Sequence, residues 1–223
     1  MSDQSPLSLL FDLDGTLTDP GVGITRCIRH AMEQVEGPLE PTAAYARFIG
    51  PPLQRSFAHL LGPEKAHLVD TAIAAYRERY GDVGMWENEL CDGIDEALRT
   101  LVEQGHRLFV ATSKPFFYAH PIVEHFELLT HFEGVYGAEL DGTRADKRDL
   151  LAHIADREEL SSSRTVMIGD RGTDMQGAEA NGMRPLGVTY GYGSREELVA
   201  AGAERLVEAP RDLPDAIRAL EPR

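Results

Sequence analysis

Three short runs, Leu9-Leu10-Phe11, Leu108-Phe109-Val110-Ala111 and Val166-Met167-Ile168, are apolar at every position, and each leads into polar residues. A strand with one wet face alternates apolar and polar residues. A strand that is apolar throughout has to be covered on both faces, as in a parallel sheet flanked by helices. Helical spacing fills the intervals: Ile94, Ala97, Leu98, Leu101 and Val102 up to Gly105, then helices over 116–126, 147–155 and 173–181, the last closed by Gly182. Shorter strands are predicted at 134–137, 186–188 and 205–207, with helices over 194–201 and 213–220. This alternation predicts an α/β fold built on a doubly wound parallel sheet. Ligands of such sheets bind beyond the C-terminal ends of the strands, where the polar residues of this chain fall.

One stretch breaks the rhythm. From about residue 20 to 88 there is no strand signal. Ile24, Cys27, Ile28, Ala31, Met32 and Val35 recur at helical spacing, with Pro20-Gly21 before them and Gly37-Pro38 after. Thr42 is placed to cap a short helix through Phe48, Gly50-Pro51-Pro52 is a stiff loop, and 53–61 reads as helix. Pro63 opens a longer helix to Tyr80, and 81–91 reads as a connector. The expected organisation is a core domain made of 1–19 and 89–223, with a helical subdomain inserted at 20–88.

The first apolar run passes directly into Asp12-Leu13-Asp14-Gly15-Thr16. In extended chain residues i and i+2 point to one side, so Asp12 and Asp14 project together. Two acids at the end of a buried strand repel and lose hydration unless a cation joins them or one keeps a proton. Hard oxygen ligands suit Mg²⁺. Gly15 permits a sharp turn, and Thr16 adds a hydroxyl and backbone N–H groups for an anion. An Asp-rich surface turn is the plainer reading of this stretch alone.

Three further pieces follow in order. Thr112-Ser113-Lys114 closes the second run and offers a phosphate-oxygen site, or simply a helix cap. Lys147 opens a helix after Asp141-Gly142-Thr143-Arg144. It can neutralise a phosphate or the aspartate pair, or be a solvated lysine. Ile168-Gly169-Asp170-Arg171-Gly172-Thr173-Asp174 again runs from apolar strand to carboxylates. Asp170 can complete an oxygen-ligand set. Asp174 can reach the metal through water, hold Lys147, or serve as a helix-start acid.

The chain has 223 residues and a formal net charge of −15, which repels a nucleic-acid polymer but not a small anion met by its own local cations. Two cysteines, Cys27 and Cys91, in no metal-like spacing point to a reducing cytoplasm. The polar Met1-Ser2-Asp3-Gln4 start does not read as a signal peptide, no apolar run reaches spanning length, and Glu221-Pro222-Arg223 is expected to fray.

Together the four pieces resemble the haloacid dehalogenase-like phosphohydrolase superfamily over nearly the whole chain. Asp12 to Thr16 is similar to its first motif, Thr112 to its second, Lys147 to its third and Gly169-Asp170 through Asp174 to its fourth, with 20–88 similar to its inserted helical cap. At finer grain, 17–21, 48–53, 139–144 and Tyr190-Gly191-Tyr192-Gly193-Ser194 resemble the phosphoglycolate phosphatase and 5′-nucleotidase-like branch. At two positions the pattern differs: Ser113 and Arg148 stand where many phosphoglycolate phosphatases carry Asn and Pro.

The resemblance implies a Mg²⁺-dependent phosphomonoester hydrolase of a small phosphorylated metabolite, phosphoglycolate, a nucleoside monophosphate or similar. Asp12 would be the nucleophile and Asp14 the general acid–base. Thr16, Thr112, Ser113 and Lys147 would hold the phosphate, and Asp12, Asp14 and Asp170 the metal, with Asp174 behind them. Arg47 in the cap would meet a second anionic group. A phosphomutase and a non-hydrolytic phospho-acceptor signalling domain are the alternatives. A monomer or homodimer in the cytoplasm, without membrane or nucleic-acid partners, is expected.

Overall fold

A computed structural model describes residues 6–220; the Met1–Gln4 and Glu221–Arg223 segments read above lie outside them. The chain divides into two compact units, Met1–Thr18 with Leu90–Arg223, and Asp19–Glu89.

The first unit is built on a six-stranded sheet. Its strands are β1 (Ser8–Phe11), β4 (Arg107–Pro115), β5 (Gly134–Ala138), β6 (Thr165–Gly169), β7 (Arg184–Val188) and β8 (Arg205–Val207), in the order β5-β4-β1-β6-β7-β8. Short strands β2 (Thr18–Asp19) and β3 (Glu89–Leu90) mark where the chain leaves this unit and returns. All neighbouring pairs in the six-stranded sheet are parallel. The fold is the doubly wound α/β architecture that the apolar runs predict. Leu10 pairs in register with Phe109 and Met167, and all three face one core with Leu150, Leu151 and Ile154 of α6 (Lys147–Arg157) and Ala178 of α7 (Gly172–Ala180). The alternate residues Leu9, Phe11, Val110 and Ile168 are buried as well. Helices α4 (Ile94–Glu103), α5 (Phe116–His125), α8 (Arg195–Ala200) and α9 (Leu213–Arg218) complete the unit. The sheet winds outward from β1 through β4 on one side and β6 on the other, so its switch point lies at the C-terminal end of β1.

β4 differs from expectation. It does not end at Thr112 but continues to Pro115 across an irregularity in its pairing with β5. Thr112 therefore sits inside a strand and caps no helix; α5 begins after Pro115.

In the second unit, α1 (Gly21–Gln34) buries Ile24, Cys27, Ile28, Ala31 and Met32. Thr42–Phe48 is a 3₁₀ helix preceded by Pro41, and Thr42 is its first residue and makes no cap. α2 (Leu53–Leu61), a 3₁₀ turn Pro63–Leu68 and α3 (Val69–Arg79) follow. The expected connector after Tyr80 is partly ordered as a π-helical turn, Tyr80–Gly84. It is pinned by Glu87, whose carboxylate meets Arg79 at 2.9 Å and Arg26 at 2.6 Å and whose carbonyl accepts the Gly23 N–H. No helix among the described residues is long and apolar enough to cross a membrane.

Candidate active site

The site belongs wholly to the first unit, at the C-terminal ends of β4, β1 and β6. The β1–β6 ladder runs one residue past the strand, with the Asp12 N–H donating to the Ile168 carbonyl at 2.9 Å. This fixes Asp12 where the central strand stops. Asp170 follows β6 directly. Asp174 enters from the first turn of α7, and Lys147 from the first residue of α6. One carboxylate oxygen from each of Asp12, Asp170 and Asp174 lies within 4.8 Å of the others.

Lys147 is the cation at the centre. Its Nζ is 3.1 Å from Oδ1 of Asp12 and 2.7 Å from Oδ1 of Asp174, and it donates to the Ala111 carbonyl at 2.8 Å. Its side chain is 3% exposed, so the solvated-lysine reading is excluded. Burial would discharge the amine, but the charges of Asp12 and Asp174 hold its pKa above the ordinary value. Asp174 does two of the things foreseen for it. Oδ1 faces Lys147, while Oδ2 accepts the Arg171 N–H at 3.1 Å and caps α7. Burial pushes Asp174 up to about 6, against the pull of Lys147. Asp170 is pushed well up, first by burial and then by the charges of Asp12 and Asp174.

Asp14 is sorted differently. Its carboxylate is outside the cluster of three and meets Lys114, whose Nζ stands 2.6 Å from Oδ2. Burial raises the Asp14 pKa and Lys114 opposes the rise. Lys114 lies in a piece that the sequence singles out, but the sequence assigns no role to its side chain. Its signal was the i, i+2 spacing from Thr112 in a strand that does not stop at Thr112.

The remaining candidates are placed as follows. Thr112 is buried and its hydroxyl oxygen accepts the Lys114 N–H at 3.2 Å; Ser113 beside it is half-buried. Thr16 is buried, and its hydroxyl has no hydrogen-bond partner among the described residues. Arg47 lies in the other unit, where its Nη2 donates to both Glu40 oxygens at 2.8 Å and its guanidinium stands 4.7 Å from the Phe48 ring centroid.

The donor set fits a hard divalent cation. Three acids converge on one point, and Oδ1 of Asp170 is buried without a hydrogen-bond partner among the described residues. Three buried carboxylates against one ammonium leave negative charge that a cation would offset.

Comparison with known proteins identifies the family. Residues 9–188 match the family model described as haloacid dehalogenase-like hydrolase. A relative named 5′-nucleotidase, from Pseudomonas aeruginosa, is 46% identical over 86% of this chain and 87% of its own length. A relative named tyrosine-protein kinase PtkA, from Mycobacterium tuberculosis, is 40% identical over 85% of this chain, which spans 64% of that protein. The crystal structure of "a predicted phosphatase" from Clostridium acetobutylicum superimposes with a TM-score of 0.90 at 38% identity, covering 96% of this chain and 100% of that one. The chain belongs to the haloacid dehalogenase-like hydrolase family, as an enzyme of its phosphatase class.

Proposed function

We propose that this phosphatase hydrolyses a small phosphomonoester through an aspartyl-phosphate on Asp12, with Mg²⁺ bound by Asp12, Asp170 and the Asp14 carbonyl. The observation that carries the reading is the convergence of Asp12, Asp170 and Asp174 on one another, with the buried Lys147 against Asp12 and Asp174. Bound there, the cation would screen the repulsion between the Asp12 carboxylate and the phosphate dianion.

The chain's own groups divide the remaining tasks. A carboxylate oxygen of Asp12 attacks phosphorus in line. The new O–P bond forms as the bond to the ester oxygen breaks. Asp14 enters this step as the acid and gives its proton to that oxygen, and the alcohol leaves. Asp14 then takes a proton from water as the water oxygen attacks phosphorus, which frees Asp12 and releases inorganic phosphate. Lys147, Thr112, Ser113 and Thr16 hold the phosphoryl oxygens, whose charge is greatest near the transition state. The helical unit chooses the substrate, with Arg47 reading a second anionic group. The cytoplasm, with its small phosphorylated metabolites, is the proposed location.

The test is phosphate release from phosphoglycolate, nucleoside monophosphates, sugar phosphates, phosphotyrosine and an aryl phosphate, with Mg²⁺ and with EDTA. Release that requires Mg²⁺ supports the proposal; release unaffected by EDTA refutes the cation. The likeness to the relative named a tyrosine-protein kinase favours a second reading, phosphoryl transfer to tyrosine. Label passing from ATP to tyrosine, without net phosphate release, would select it.

A further inference from the structure

The Tyr190-Gly191-Tyr192-Gly193 segment follows β7 and takes no part in the chemistry above. It lies against Asp170. The Tyr192 N–H donates to Oδ2 of Asp170 at 2.7 Å, a charge-assisted bond that orients the carboxylate. The Tyr190 hydroxyl donates to the Thr16 carbonyl at 3.1 Å, which ties the same segment to the turn that carries Asp12 and Asp14.

The fit leaves no room for side chains. A Cβ on Gly191 would stand 2.5 Å from Oδ2 of Asp170 and strike the Gly15 carbonyl, and one on Gly193 would strike the Asp170 carbonyl. Gly15, at φ +81°, faces the same carboxylate, where a Cβ would come within 2.7 Å of its Cγ. Two backbone segments therefore grip Asp170 and engage Oδ2. Its Oδ1 is the oxygen that has no hydrogen-bond partner among the described residues.

We infer that Tyr190–Gly193 is a positioning clamp for Asp170, which fixes the carboxylate rotamer, leaves one oxygen for a divalent cation, and so sets the affinity for that cation. The inference rests on the cation reading of the acid cluster. Hydrogen bonds behind a metal ligand commonly act in this way, by holding it ready before the ion arrives.

The experiment is titration calorimetry of Mg²⁺ into the wild type, Gly191→Ala, Tyr190→Phe and Asp170→Asn, with the melting temperature of each cation-free protein and its Mg²⁺ activation curve. Asp170→Asn is expected to lose binding. Gly191→Ala is expected to weaken it by roughly ten- to a hundredfold. Tyr190→Phe removes one hydrogen bond and is expected to weaken it by roughly three- to tenfold. In both clamp variants saturating Mg²⁺ restores most of kcat. A folded Gly191→Ala with the wild-type dissociation constant overturns the clamp. If that variant does not fold, an unchanged constant in Tyr190→Phe overturns it equally. Retention of Mg²⁺ binding by Asp170→Asn refutes the cation reading itself and the clamp with it.

Discussion

Lys114 Nζ lies 2.6 Å from Oδ2 of Asp14, with 7% and 15% of the two side chains exposed. This contact joins the far end of β4 to the turn after β1. It gives Asp14 a partner of its own, apart from Lys147 and the three clustered acids.

The Lys114–Asp14 pair bears on the proton step. With Lys114→Met, Asp14 loses the contact that orients it, and kcat is expected to fall by roughly ten- to a hundredfold, within the range of general acid–base help. Lys114→Arg keeps the charge and should retain more activity than Lys114→Met. Steady-state kinetics at saturating Mg²⁺ decide this; a kcat within twofold of wild type in Lys114→Met would remove Lys114 from the mechanism.

Lys147 carries the electrostatics of the cluster. Lys147→Met would leave Asp12 and Asp174 buried without their shared cation. Removal of one partner from a buried pair typically costs about 3–5 kcal/mol. Urea denaturation at neutral pH in EDTA is expected to show a loss of that order, recovered in part by Mg²⁺, while phosphate release stays abolished. Unchanged stability in EDTA would contradict a role for Lys147 in balancing the charge of Asp12 and Asp174.

How much of this was legible beforehand follows from the range of the interactions. The buried strands are readable because their residues are apolar without interruption, and Asp12 and Asp170 because each stands just beyond the end of such a run. The pairing of Lys147 with Asp174 was foreseen only as one option among several, since it depends on how α6 and α7 pack. The contact of Lys114 with Asp14 is not legible because the apolar run predicts a strand that ends at Thr112, which hides the side that Lys114 shares with that residue. The grip of Tyr190–Gly193 on Asp170 was hidden for another reason. It is a backbone contact across some twenty residues, and glycines in a turn look alike in sequence whether or not something presses against them. Glu87, which pins the turn after α3, falls in a segment that reads in sequence only as a connector.

His106 predicts an acid limb in the stability curve. Its Nδ1 accepts the Leu7 N–H at 3.1 Å, and burial lowers its pKa below the ordinary 6.5. Below that value the unfolded chain takes up a proton that the native state refuses, so stability falls as pH drops from about 6.5 towards the lowered native value. Denaturation at about pH 7.5 and about pH 5.5 should show a larger loss in the wild type than in His106→Gln. Equal losses in the two proteins would mean that His106 is not held neutral.

Arg47 is already paired within its own unit. Glu40 holds it through both oxygens, so an anion that Arg47 is to read would have to displace that carboxylate. If Arg47 reads a second anionic group, Arg47→Ala raises KM several-fold for doubly anionic substrates and Glu40→Gln lowers it, with kcat little changed in both. No change in KM across such substrates for either variant would end the proposal.

The proposed mechanism turns on covalent chemistry at Asp12. The most direct measurement is an acid quench during turnover, followed by mass spectrometry of the Asp12 peptide, in the wild type and in Asp12→Asn. A hydroxylamine-labile phosphate on Asp12 is expected in the wild type, and neither label nor turnover in Asp12→Asn. Phosphate release by Asp12→Asn at the wild-type rate, or label on another residue, would contradict it.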